Sequence, residues 1–246
     1  MNKRGFTLAE VLITLGIIGV IAAMTVPTLM NNSTEIEFRS AFKKGLAALN
    51  QAVTMNVALD NVDFDSLTNT GVGSTTSDSL YALLANRMST AKFLDSNDAS
   101  RDACLLNIGE VAGVGSASAK AADGGDGKGD GNVAMFFTDG SCIIWRQEYG
   151  VANKHPKASA SPFRQGIRAI WDVNGSKKPN RLSWCDSKAS SDGRKKDKIK
   201  KSLTDTNADT TCNDNNVVIR DQFSIILKGN RALPNGQAAH YLFYMK

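Results

Sequence analysis

The sequence predicts an α+β fold in which one long N-terminal helix, apolar in its first half and amphipathic in its second, packs on an antiparallel sheet of four or five strands. Three observations carry this expectation. Residues 6–26 form an apolar run of helix length with a single charge, Glu10. Apolar residues then recur at helical spacing to about Leu59. Beyond them the chain alternates β-rich runs with turn signals.

As an α-helix the first run reaches about 31 Å, enough to cross a hydrocarbon core of roughly 30 Å. Lys3 and Arg4 stand just before it, which is expected to leave the N-terminus in the cytoplasm and to send the rest of the chain across the membrane as a single-pass protein with an extracytoplasmic head. A cleaved secretory signal has a shorter apolar core, about 7 to 15 residues, and a small-x-small site that Met24, Val26 and Pro27 spoil. A plain anchor explains the length but not Glu10, because a carboxylate near the centre of the hydrocarbon costs on the order of 3 kcal/mol, less toward its edge. An acid in that position needs a partner.

These residues resemble the start of type IV prepilins and of the related pseudopilins of type II secretion. In that family a peptidase cuts on the cytoplasmic side after a glycine, the new first residue is N-methylated, and the fifth residue of the mature chain is glutamate. Here Gly5 precedes Phe6, Glu10 is fifth from the cut, and Pro27 stands where members often kink the helix. The resemblance implies a leader at 1–5, a membrane and polymerisation helix at 6–27, its amphipathic continuation at 28–59 and a globular head at 60–246. It also implies processing at Gly5 and Phe6 and assembly through Phe6, Glu10 and Pro27. The chain would then be a structural subunit of a type IV pilus or a type II secretion pseudopilus. Its partners would be other pilin subunits, a prepilin peptidase, and a platform protein with its ATPase.

The motif has a physical reason. A cut after Gly5 frees an α-amino group on Phe6, with a reference pKa near 8, which methylation leaves cationic. Glu10 lies about 6 Å further along the helix axis. In a staggered bundle it could meet the amine of a neighbouring subunit, so that two isolated costs become one compensated pair; in an unassembled subunit that partner is missing. Gly16, Gly19, Ala22 and Ala23 allow helices to approach closely.

Proline at 27 removes one backbone donor and is expected to kink the helix. After it, Ile36, Phe38, Phe42, Leu46, Leu49 and Val53 make an apolar stripe, with Glu35, Glu37, Arg39, Lys43 and Lys44 on other faces. In the head, Leu80, Leu83, Leu84 and Met88 predict a second helix over 79–94, capped by Ser77 or Asp78. Residues 113–131 are glycine-rich and too poor in apolar side chains to pack. Residues 132–138 and 141–147 flank Asp139-Gly140, which predicts a hairpin; a two-residue turn sets Phe137 opposite Cys142 and Phe136 opposite Ile143. Further strands are expected at 166–173, 222–228 and 240–245, the last two joined through 233–236.

The stretch Asp172-Val173-Asn174-Gly175, followed by Pro179-Asn180 and later Asp221-Gln222-Phe223, resembles a loop of pseudopilins and Gram-positive pilins, with residues 181–220 inserted. In some relatives oxygen ligands in this region hold calcium, to which Asp172 and Asn174 could contribute. An Asx-stabilised turn accounts for the same residues without a metal, and no cofactor is required. Four cysteines, Cys104, Cys142, Cys185 and Cys212, permit three pairings; Cys185 with Cys212 would staple the insertion and leave Cys104 for Cys142. Zinc has no Cys-x-x-Cys, and His155 and His240 are isolated.

No nucleophile or phosphate-loop motif supports an enzyme. The net charge of +5 is too small for a global nucleic-acid argument. The basic run at 194–201 keeps a second reading open, that of a minor pilin whose head is an adhesive or DNA-binding tip, although the run lacks aromatics that would stack bases. A third reading is a membrane-anchored binding domain outside any filament.

Overall fold

The computed structural model describes residues 7–71, 78–94, 132–146, 150, 166–177, 180–185, 212 and 217–244. The chain divides into two compact units, residues 1–37 and 38–246. Helix α1, Leu8–Asp60, contributes to both, and its helical backbone continues through Pro27, so the proline does not end it. In the first unit Leu8–Val26 is long and apolar enough to cross a membrane, and none of it is buried.

The second unit is α+β. Helix α2 is Leu80–Arg87. A six-stranded antiparallel sheet follows, formed by β1 (Thr90–Leu94), β2 (Asn132–Phe137), β3 (Cys142–Arg146), β4 (Ile167–Asp172), β7 (Gln222–Lys228) and β8 (Arg231–Pro234), adjacent in that order. Strands β5 (Trp184–Cys185) and β6 (Val217–Val218) pair separately at the base of the insertion, and helix α3 is Gln237–Tyr244. The sheet thus has one or two strands more than the sequence suggested.

Phe42, Leu46, Leu49 and Val53 of α1 are buried against one face of this sheet. Cross-strand rows meet them: Met135, Ile143, Trp171 and Phe223 form one, and Val133, Trp145, Ala169 and Ile225 the next. Phe42 stacks on Phe223 with ring centroids 4.2 Å apart. Gly45 lets Trp171 lie directly on the helix, since a Cβ at that position would sit 2.4 Å from the indole Cε2 and Nε1.

At the β8 edge, the Asn50 side chain binds one residue on both sides: its Oδ1 accepts from the Ala232 amide at 2.7 Å and its Nδ2 donates to the Ala232 carbonyl at 3.2 Å. Arg39 Nε donates to the Leu242 carbonyl at 3.2 Å, fixing the end of α3 to α1.

Four local expectations are corrected. The second helix stops at Arg87 because Met88 is already extended (φ −126°, ψ 146°), and the residues after it pair with β2 as β1. Its cap is Ser79, whose Oγ accepts from the Ala82 amide at 3.1 Å, not Ser77 or Asp78. The hairpin turn holds three residues rather than two. Gly140 alone takes positive φ (+89°), whereas a two-residue turn of the type Asp-Gly favours would require Asp139 to do so as well. The register therefore moves by one, pairing Phe136 with Cys142 and Met135 with Ile143.

The fourth correction is at the C-terminus. Residues 240–244 are helical, because Ala238, Ala239 and Leu242 bury one face at helical spacing. The strand expected there lies earlier, at β8, joined to β7 through Gly229-Asn230 with Gly229 at φ +53°. Pro234 is tolerated in β8 because that strand is an edge.

Candidate functional site

Glu10 occupies the first turn of α1 and is tied to Thr7, the residue before the helix. The Thr7 amide and hydroxyl both donate to Glu10 Oε2 at 2.8 Å, and the Glu10 amide donates back to Thr7 Oγ1 at 3.3 Å. This is a reciprocal capping box, which satisfies donors that a helix start otherwise leaves open. A single subunit therefore does not hold the acid without hydrogen bonds, although its charge remains uncompensated by any described cation. Nearby hydroxyls turn inward: Thr14 Oγ1 donates to the Glu10 and Val11 carbonyls and Thr25 Oγ1 to the Ile21 carbonyl. Glu10 is left as the one charged side chain of Leu8–Val26.

Gly5 and Phe6, the expected processing residues, lie outside the described residues, as do the side chain of Pro27, Cys104, the glycine-rich 113–131 stretch and the basic run 194–201. Cys185 and Cys212 form the disulfide expected from their places at the two ends of the insertion. Cys142 is also disulfide-bonded.

The Asp172 loop forms a second cluster. Asp172 Oδ1 accepts from the amides of Asn174 (3.0 Å) and Gly175 (2.8 Å), and its Oδ2 accepts from Gln222 Nε2 (2.7 Å). Asp221 accepts from the amides of Asn180 (2.6 Å) and Arg181 (2.8 Å), and the Asn174 side chain also bonds it. Ser183 Oγ accepts from the Arg220 amide and donates to its carbonyl, so the insertion leaves and re-enters the fold at one clasp. Gly175 (φ +66°) packs under the hairpin turn, where a Cβ would come within 2.3 Å of the Gly140 carbonyl oxygen.

This is the geometry of an Asx turn, with the Asn174 Oδ1 buried beside it and without a hydrogen-bond partner among the described residues. Among the described residues there is no group of three or more His, Cys, Asp or Glu able to hold a metal. Burial pushes the Asp172 carboxyl from its ordinary 3.8 to about 8, with the neighbouring Asp221 adding to the rise; Asp221 is raised too, again mainly by burial.

A group whose folded pKa is raised stabilises the fold below its unfolded value and loses that contribution as pH climbs through the folded value. Asp172 should therefore weaken the head progressively between about pH 4 and pH 8. The melting temperature of Asp172→Asn minus that of the parent is expected to grow by several degrees from pH 5 to pH 8, as scanning calorimetry can measure. A flat difference would show that the buried acid does not titrate in this window.

Two comparisons place the chain among known proteins. The prokaryotic N-terminal methylation motif matches residues 1–26. The type II secretion system core protein G of Escherichia coli (strain K12) is 34% identical over 112 residues, covering 44% of this chain and 75% of that protein. The chain belongs to the pilin and pseudopilin family. No solved structure gave a significant match. The family match includes Gly5, Phe6 and Glu10, the residues that carried the resemblance, and a pilin's α+β head with a long N-terminal helix is what the structure shows. Thr7 is the site residue that the sequence reading missed. Its signal was legible, since Thr7-Leu8-Ala9-Glu10 has the spacing of a capping box.

Proposed function

We propose that this pilin-family chain is a structural filament subunit rather than an enzyme. It is cut after Gly5, methylated on Phe6 and stored in the inner membrane through residues 6–26 with its N-terminus cytoplasmic. From there it is polymerised into a type IV pilus or a type II secretion pseudopilus. Prepilin peptidase, platform protein, ATPase and other pilin subunits are its partners in this reading. The head requires no metal for that role.

The observation that carries the proposal is the placement of a lone carboxylate, Glu10, at the start of an apolar segment, Leu8–Val26, none of which is buried. Such a helix is covered by lipid before assembly and needs neighbouring helices once outside the bilayer. A cut before Phe6 would place a cationic amine directly at the helix start. The test is the intact N-terminal mass of protein made with and without a prepilin peptidase. The expected product begins at Phe6 and carries one added methyl group only when the peptidase is present; an unchanged N-terminus in both cases rejects processing.

A further inference from the structure

We propose that Thr7 is a positioning residue for Glu10, holding one carboxylate oxygen so that the other is presented to an incoming ammonium group. This rests on the assembly role proposed for Glu10. The Thr7 amide and hydroxyl both bind Oε2, and Oε1 has no hydrogen-bond partner among the described residues. The carboxylate is thereby fixed at its rotamer by two donors from a residue one turn back, with one oxygen occupied and one open. A primary or N-methylated ammonium from another copy of the chain needs one such acceptor. Hydrogen bonds to charged groups are directional and stronger than neutral ones, so an oriented acceptor selects the approach of the cation.

A helix cap alone would give Thr7 a purely local role, and the choice of substitution separates the two. Glycine caps a helix start nearly as well as threonine but has no hydroxyl, valine keeps the shape without the hydroxyl and caps poorly, and serine keeps both functions. Thr7→Ser, Thr7→Gly, Thr7→Val and Glu10→Gln are each co-expressed at full length with the parent chain. The fraction of each variant in the filaments is measured relative to its processed, membrane-inserted pool.

The expected result is that Ser incorporates as the parent does, while Gly and Val both fall by about tenfold, the scale of one charged hydrogen bond. Adding Thr7→Val to Glu10→Gln should then produce no further loss. If Glu10→Gln falls and Thr7→Gly incorporates normally, Thr7 is only a cap and this inference is overturned while the assembly role of Glu10 stands. If Glu10→Gln incorporates normally, the assembly role fails and this inference goes with it.

Discussion

Replacing Glu10 with glutamine is expected to leave membrane insertion and processing intact while lowering incorporation into filaments by about ten- to a hundredfold. Glutamine has the same length and can still accept from Thr7 through its amide oxygen, so the capping box that starts α1 survives. The charge is what disappears. An unpaired carboxylate near the edge of the membrane costs less than the roughly 3 kcal/mol of its centre, and at about 1.4 kcal/mol per factor of ten a cost of about 1.5 to 2.5 kcal/mol accounts for one to two orders of magnitude between stored and assembled subunits. Neutralising it makes the bilayer more comfortable and the filament less rewarding. Comparing filament and membrane fractions of the variant measures the effect, and parental incorporation of Glu10→Gln would remove charge pairing from the account of assembly.

The second large effect is expected at Gly45, where alanine should destabilise the head even though it improves the helix. In an open helix the change stabilises by about 1 kcal/mol. Here the added Cβ would stand 2.4 Å from two atoms of the Trp171 ring, which is itself stacked on Phe137 at 5.3 Å and buried in the sheet. The ring cannot give way without moving its neighbours, and overpacking of this kind costs about 1 to 3 kcal/mol or more. The 2.4 Å approach puts the cost toward the upper end of that range, so the clash wins over propensity with a net loss of about 1 to 2 kcal/mol and a fall in melting temperature of roughly 2 to 8 °C. Thermal unfolding of the full chain in detergent, followed by near-ultraviolet circular dichroism, reads this directly. Combining Gly45→Ala with Trp171→Phe should recover part of the loss, and a Gly45→Ala chain as stable as its parent would mean that the indole does not rest on the helix.

The helix-on-sheet arrangement was legible because α1 announces itself by composition and period. Phe42, Leu46, Leu49 and Val53 are spaced for one face, and that face is the buried one. Strand β7 matched the expected bounds, since Phe223, Ile225 and Leu227 alternate with polar Gln222 and Ser224. What failed was local chemistry overruled by distant partners. Residues 90–94 carry no strong strand signal of their own and become a strand by pairing with β2. The stripe Leu80, Leu83, Leu84 and Met88 predicts a helix running on to Leu94, although the chain is already extended at Met88. Residues 237–244 combine aromatics that favour strands with Ala238, Ala239 and Leu242, and burial of these three at helical spacing decides for a helix.

At the candidate sites, Glu10 stood out because one charge in an apolar run is costly. Thr7 was hidden because its role is a hydrogen bond rather than a charge. The Asp172 loop was visible as a resemblance across an insertion of forty residues, but its closure by Asp221 and Ser183 depends on contacts between residues about forty positions apart. Sequence spacing cannot express such contacts.

Asn50 carries a consequence for how this protein can associate with itself. An unguarded outer strand invites another chain to add itself by backbone pairing, and a crowded membrane concentrates the candidates. By occupying both polar groups of Ala232 with one side-chain amide, and with Pro234 offering no N–H beyond it, the long helix shuts the β8 side against that route. If subunits join through α1 as proposed, the same helix that would unite them also blocks a rival, amyloid-like way of joining through the β8 edge.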